Sequence, residues 1–265
     1  MKYVVDHDFH FHSQVSLCSR DPEQTNERIL QYARENGLKK IIVTDHFWDE
    51  NVEEENLIDF YKQQNFKHLS KSLPLPKSEI EFGFGCETDF SRKNILGVSK
   101  ERFDEFEFIV VPTTHMHMMG FTIYEEDNTT EGRAKLWLNK LEALLSMDLP
   151  FHKIGIAHLA CILIDRTSNE DKNKVLNLLK DKDLERVFAK AAKLGVGIEL
   201  NACDFSVSLN DLEPVLRIFR IAKRQGCKFY LSSDAHHPNN FAGVKEIFEK
   251  VIDLLELTED DKFYI

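Results

Sequence analysis

A parallel α/β architecture closed into a seven-stranded, TIM-like β/α barrel is the fold class this sequence predicts, and three observations carry it. Seven short apolar runs, most of them β-branched or aromatic, alternate with helical stretches, the pattern left by right-handed crossovers between parallel strands. Each run delivers a metal-competent or polar side chain at or just after its C-terminal end: His12, His46, Glu87, His115, His158, Asn201 and Asp234. An open doubly wound sheet would spread these along one edge, whereas a barrel converges the strand ends on one mouth, where sites of this architecture lie.

Taken in order, Tyr3–Phe9 reads as the first strand, and the stretch Asp8-Phe9-His10-Phe11-His12-Ser13 continues its alternation. Period two puts Asp8, His10 and His12 on one face and Phe9 and Phe11 on the other. A lone His-x-His is either half of a metal site or a pair of edge-strand surface histidines. His7, on the face opposite His10, reads as structural. Pro22-Glu23 opens a helix that runs to Asn36 and stops at Gly37, the expected punctuation. Leu38–Thr44 is the second strand, ending at Asp45-His46; the acidic stretch Trp48–Ser72 has a weak helical apolar face and reads as an excursion over the site.

Ile80–Gly85 leads to Cys86-Glu87-Thr88-Asp89, and Phe106–Val111 leads to Thr113-Thr114-His115-Met116-His117. Leu136, Trp137, Leu141, Leu144 and Leu145 recur at three-to-four spacing and predict a helix over Glu131–Ser146. Lys153–Ala157 delivers His158; helices follow at about Asn169–Leu179 and Leu184–Leu194; Gly197–Leu200 delivers Asn201. A helix over Asp211–Gln225 ends at Gly226, Lys228–Leu231 delivers Ser232-Ser233-Asp234-Ala235-His236-His237, and Val244–Leu255 is the last helix. No linker or repeat interrupts the alternation, so residues 1–265 read as a single domain.

The 265 residues are 42% hydrophobic and 30% charged, enough for a sizeable core and unlike a disordered chain. No apolar run approaches the roughly 18 residues of a membrane span, and Met1–Asp8 is too short and acidic for a signal peptide, so a cytoplasmic protein is expected. Five scattered cysteines without a CxxC pair indicate neither a disulfide framework nor a zinc finger. A formal net charge of -11 argues against a nucleic-acid surface. It disfavours anionic substrates only at long range, because bound divalent ions dominate the field near them.

The ordered set Asp8-x-His10-x-His12-Ser13, Thr44-Asp45-His46, Gly85-x-Glu87, His115, His158 and Ser233-Asp234-Ala235-His236 resembles the PHP family, the polymerase and histidinol phosphatase metal-dependent phosphoesterases. The resemblance spans residues 8 to 237 and is closest to the stand-alone histidinol-phosphatase-like branch. It implies a distorted seven-stranded barrel, two or three divalent ions (zinc, iron or manganese) and phosphomonoester hydrolysis. It also implies that His10, His12, Glu87 and Asp234 hold one ion, Glu87, His115 and His158 a second, and His46 and His236 a third, with Glu87 bridging. The family's further third-site ligand falls where this chain has Cys18, which is either a thiolate ligand favouring zinc or iron, or a small residue that leaves the third site weak. Asp8 and Asp45 read as groups that orient ring N–H donors of the ligating histidines.

Many neutral imidazoles and few carboxylates leave ionic charge uncompensated, which suits a dianion and an acidified water. The nucleophile is therefore assigned to a metal-bound hydroxide, with Glu87, Asp234 and His236 as the catalytic set and a metal-bound water or a nearby histidine as the leaving-group acid. His117, His237, Arg20 and Arg166 are candidate contacts to a small phosphorylated substrate; each is alternatively a solvated loop side chain. His68 and His152 read as surface, and Met116, Met118 and Met119 as core or pocket lining. L-Histidinol phosphate is the leading substrate. The alternatives are a nucleotide, sugar phosphate or phosphotyrosine; an amidohydrolase-type C–N hydrolase, against which stands the lack of a lysine at a strand end; and a non-catalytic metal-stabilised module. No membrane or nucleic-acid partner is expected, and a homo-oligomer is left open.

Overall fold

The computed structural model describes residues 1–19 and 21–265. Its sheet contains β1 (His7–Phe11), β2 (Lys40–Val43), β3 (His46–Phe47), β4 (Glu81–Thr88), β5 (Phe108–Pro112), β6 (Ile154–Ala157), β7 (Gly197–Asn201) and β8 (Lys228–Ser232). All ladders are parallel, in the order β1-β2-β4-β5-β6-β7-β8. The two-residue β3 pairs with the end of β4, His46 opposite Glu87, so β2 and β3 together form one stave beside the long β4. The seven expected strands are thus seven staves of a nearly closed barrel, and the second is interrupted at Thr44-Asp45.

The seam between β8 and β1 lies beyond the regular ladders. The amide of His12 donates to Ala235 O (2.9 Å) and that of Asp234 to His10 O (2.8 Å), so the site loop after β8 is sewn directly to the end of β1.

One expectation for the first strand fails. Asp8 and Phe11 turn outward, Asp8 to Tyr32 (3.1 Å) and Phe11 into a cluster with Ile29, Leu30 and Phe241. Phe9 turns inward with Ile42, Phe108 and Tyr230, and His10 and His12 face the mouth. A register irregularity between Asp8 and Phe11 breaks the alternation, so Phe9 and Phe11 occupy opposite faces. The strand itself begins at His7 rather than Tyr3. His7 is structural: buried at the base, its Nε2 accepts from the amide of Leu231 (3.1 Å).

The barrel interior is filled by Phe9, Ile42, Phe108, Val110, Ala157, Tyr230 and Phe263. Gly155 makes room for this packing, since a Cβ there would stand 2.4 Å from the Phe108 ring and 2.6 Å from that of Tyr230. Gly155→Ala is therefore expected to cost about 1–3 kcal/mol in a denaturant titration with the metal content preserved; an unchanged midpoint would refute this reading of the interior.

The outer layer is α1 (Asn26–Asn36), α4 (Thr130–Leu144), α5 (Asn169–Leu178), α6 (Asp181–Leu194), α8 (Leu209–Arg224) and α9 (Val244–Leu254), with the short α2 (Asp59–Lys62) and α3 (Phe66–Leu69) in the excursion and α7 (Ala202–Phe205) after β7. Helix α1 starts later than Pro22 because Thr25 is the N-cap, its hydroxyl accepting from the amide of Arg28, and it ends at Gly37 with φ of 69° as expected. Between β4 and β5 the crossover carries only the 3₁₀ turn Lys100–Glu105, one source of the barrel's distortion. No helix among the described residues is long and apolar enough to cross a membrane.

Candidate metal centre

The mouth is built by the inward side chains at the ends of the staves. On β4 the inward positions are Gly83, Gly85 and Glu87, so the period of two that empties the barrel below delivers a carboxylate at its rim. Glu87 is buried and its two oxygens face two sets of histidines. Oε2 lies 3.5 Å from His10 Nε2, 3.3 Å from His12 Nε2 and 2.9 Å from His46 Nδ1; Oε1 lies 3.3 Å from His158 Nε2 and 3.7 Å from His115 Nε2. Asp234 adds Oδ1 at 3.5 Å from His10 Nε2 and 3.4 Å from His12 Nε2, with Oδ2 3.8 Å from His158 Nε2.

These donors fit divalent ions. Three groups, His10/His12/Asp234, His10/Glu87/His158 and His12/Cys18/His46/His236, each offer ligand atoms within 4.8 Å of one another. His10 Nε2, both ring nitrogens of His12 and Asp234 Oδ1 are buried without any hydrogen-bond partner, an arrangement that is costly for polar atoms unless an ion satisfies them.

The rings are fixed by Glu199, Asp89 and Asn201, of which the strand-end pattern marks only Asn201. Glu199 accepts from His10 Nδ1 at 2.6 Å and from the backbone amide of His158 at 2.7 Å. Asp89 accepts from His115 Nδ1 at 3.1 Å and from the Tyr61 hydroxyl, which also lies 3.3 Å from His46 Nδ1. Asn201 sits 3.3 Å from both His158 Nδ1 and Asp234 Oδ2. The expected orienting role of Asp8 and Asp45 is corrected: Asp8 accepts from the amides of His10 and Ser233, and Asp45 from the amide and hydroxyl of Ser13, with His12 Nδ1 3.9 Å away. The outward turn of Asp8 accounts for its failure to reach a ring. Glu199 had a sequence signal, since Gly197-x-Glu199-x-Asn201 puts it on the inward face of β7 below Asn201.

His158 and Asp234 hold left-handed backbone, with φ of 63° and 50°. Non-glycine residues adopt this region at a cost of order 1–3 kcal/mol, and such residues are enriched at functional sites. Each is held by its amide, His158 to Glu199 and Asp234 to the carbonyl of His10.

Burial pulls the imidazoles of His12 and His158 down, but surrounding charge outweighs it: Cys18, Asp234 and Glu87 around the first, and Glu199, Asp234 and Glu87 around the second, hold both at about 9. Burial likewise pushes the Glu87 and Asp234 carboxyls up, and the histidines around them hold both well below the usual range. An incoming ion must displace the imidazole protons. Metal affinity should therefore rise as pH increases towards about 9, with protons released on binding. Calorimetry in buffers of different ionisation enthalpy measures that release, and pH-independent affinity without it would contradict the charge state described.

Beside the candidate ligands lies a cavity of about 340 Å³ lined by Ile58, Phe60, Tyr61, Met118 and Leu163 together with His117 and Arg166. Of the four candidate substrate contacts, His117 and Arg166 reach it. His117 is neutral: burial and the neighbouring His115 and Arg166 bring its ring down to about 3. His237 does not line the cavity. Its Nε2 lies 2.6 Å from Asp21 Oδ2 and its Nδ1 accepts from the amide of Asn239, so the residue after His236 faces away from the mouth. Arg20 lies outside the described residues. Met116 is core, and His68 is half-buried, its Nε2 donating to Val15 O (2.8 Å).

Residues 8–203 match the family model of the PHP domain, and the chain belongs to that family. Asp234 and His236 lie beyond the matched stretch yet meet its candidate ligands in space. Among solved structures, the chain is similar to the histidinol phosphate phosphatase of Lactococcus lactis subsp. lactis Il1403, complexed with zinc, L-histidinol and phosphate, at 16% identity and a TM-score of 0.61 over 98% of this chain and 99% of that one. It is also similar to a candidate histidinol phosphatase of Listeria monocytogenes, at 14% identity and a TM-score of 0.56 over 89% and 97%. At these identities the likeness is one of fold. No curated protein matches the chain.

Proposed function

We propose that residues 1–265 act as a single PHP-type barrel domain that hydrolyses a small phosphomonoester, with L-histidinol phosphate as the leading substrate. The observation that carries this is the division of the Glu87 oxygens between two sets of histidines, which suits a carboxylate bridging two ions. His10, His12, Glu87 and Asp234 would hold one, Glu87, His115 and His158 the second, and His46 and His236 a third. Zinc, iron or manganese bound there supplies Lewis acidity, lowers the pKa of water to about 7 and neutralises phosphoryl charge.

The chain's own residues supply the rest. Arg166, at the edge of the cavity, offers the paired donors that suit a phosphate. Neutral His117 offers a hydrogen bond without charge, and Ile58, Phe60, Met118 and Leu163 exclude water from the leaving group. His236 donates Nδ1 to the carbonyl of Asp234 (2.8 Å), which leaves Nε2 free for the mouth. The similarity to a phosphatase crystallised with L-histidinol and phosphate supports the substrate.

Phosphate release from L-histidinol phosphate and a panel of phosphomonoesters, with added Mn²⁺ or Zn²⁺ and a chelated control, tests the proposal. Chelator-sensitive turnover strongest on histidinol phosphate supports both parts. Turnover on another ester moves the substrate, and silence from fully metallated protein refutes the activity. Arg166→Ala is expected to raise KM about 10-fold or more with a smaller effect on kcat, since a charged hydrogen bond is worth about 1.5–3 kcal/mol; unchanged kinetics would remove Arg166 from the phosphate contacts.

A further inference from the structure

The loop after β1 carries Cys18, a residue that is solvent-accessible and lines the cavity. Its position is built. Gln64, fully buried in the excursion, accepts from the amide of Leu17 (3.0 Å) and the hydroxyl of Ser16 (3.4 Å); Ser19 donates to the carbonyl of His236 (2.5 Å); His68 donates to Val15 O (2.8 Å). The loop is thereby tied both to the strap over the mouth and to the residue that carries one of the facing imidazoles. The Cys18 sulfur, 3.0 Å from the Ser16 hydroxyl, falls within 4.8 Å of donor atoms from His12, His46 and His236. His12, which the group with His10 and Asp234 also uses, is wholly buried with neither ring nitrogen hydrogen-bonded, and one of those nitrogens falls within this group as well.

We propose that Cys18 binds an ion as a thiolate together with His46 and His236, with His12 beside them, and that the sulfur makes this third position selective for zinc, iron(II) or cobalt over magnesium and manganese. Thiolate is a soft donor that suits borderline ions in near-tetrahedral sites with imidazole, whereas magnesium and manganese prefer oxygen. The inference rests on the metal centre proposed above and adds to it the identity of a ligand and of the ions it accepts.

The test is a titration of the metal-free full chain with Co²⁺, followed by absorption. A thiolate-to-cobalt charge-transfer band in the near ultraviolet is expected, together with visible d–d bands. Cys18→Ser should lose the near-ultraviolet band and retain one fewer ion per chain after dialysis, while Cys203→Ser keeps both. Cys18→Asp, with an oxygen donor in the same place, guards against a folding defect: it should hold the full complement of ions and lose the band alone. Visible bands without the near-ultraviolet band in the unmodified protein, or the same band in Cys18→Ser, would overturn the thiolate ligand and leave the rest of the centre standing. No cobalt binding at all would overturn both.

Discussion

Glu87→Ala is expected to lower phosphatase turnover by at least about 10³-fold and to strip bound metal, because this one carboxylate faces five imidazoles from both of its oxygens. The side chain is buried, so water cannot fully replace it, and its loss leaves neighbouring histidines to repel any ion that enters. Asp234→Ala should act similarly on the set formed with His10 and His12. Circular dichroism of the metal-free variant, measured alongside metal content and steady-state kinetics, separates this from simple unfolding. A fully active and fully metallated alanine variant at either position would sink the ligand assignment.

The second large effect is expected at a residue that touches no substrate. Glu199→Gln should weaken metal binding about 10- to 100-fold, as loss of a carboxylate behind a ligating histidine does elsewhere. It should also cost about 1–3 kcal/mol of stability in the metal-free protein, since the Nδ1–H of His10 is buried and would lose its charged acceptor. The same carboxylate holds the strained amide of His158, so the effect should extend to both ions. Competition against a chromogenic chelator measures the affinity. Unchanged affinity would reduce Glu199 to a filler of the barrel rim.

The difference between Glu87 and Glu199 shows what is legible in a sequence of this kind. Glu87 closes a strand run and precedes a loop, so the barrel rule marks it. Glu199 sits mid-strand among apolar neighbours, and its partner His10 is 189 positions away; only the inward alternation of β7 points to it. Most of the candidate histidines are readable for the same reason as Glu87, lying at or just past the end of a stave, whereas His10, inside β1, is marked by its His-x-His spacing. The faces of β1 are not readable, because one register irregularity reverses the assignment of Phe9 and withdraws Asp8 from the mouth, and bulges leave little trace in residue types. His237 shows the limit of adjacency: one residue beyond a candidate ligand, the chain has already turned toward Asp21.

The irregular seam between β8 and β1 brings His10 and His12 against Asp234, residues more than two hundred positions apart, through only a few backbone hydrogen bonds. An ion gripping both sides would act there as a reversible staple, closing a loop of nearly the whole chain much as a cross-link would. Free metal concentration then becomes a stability variable, contributing RT ln(1 + [L]/Kd) for each site. The melting temperature should climb with every tenfold rise in free ion, and under chelation the first and last staves should be the earliest to part.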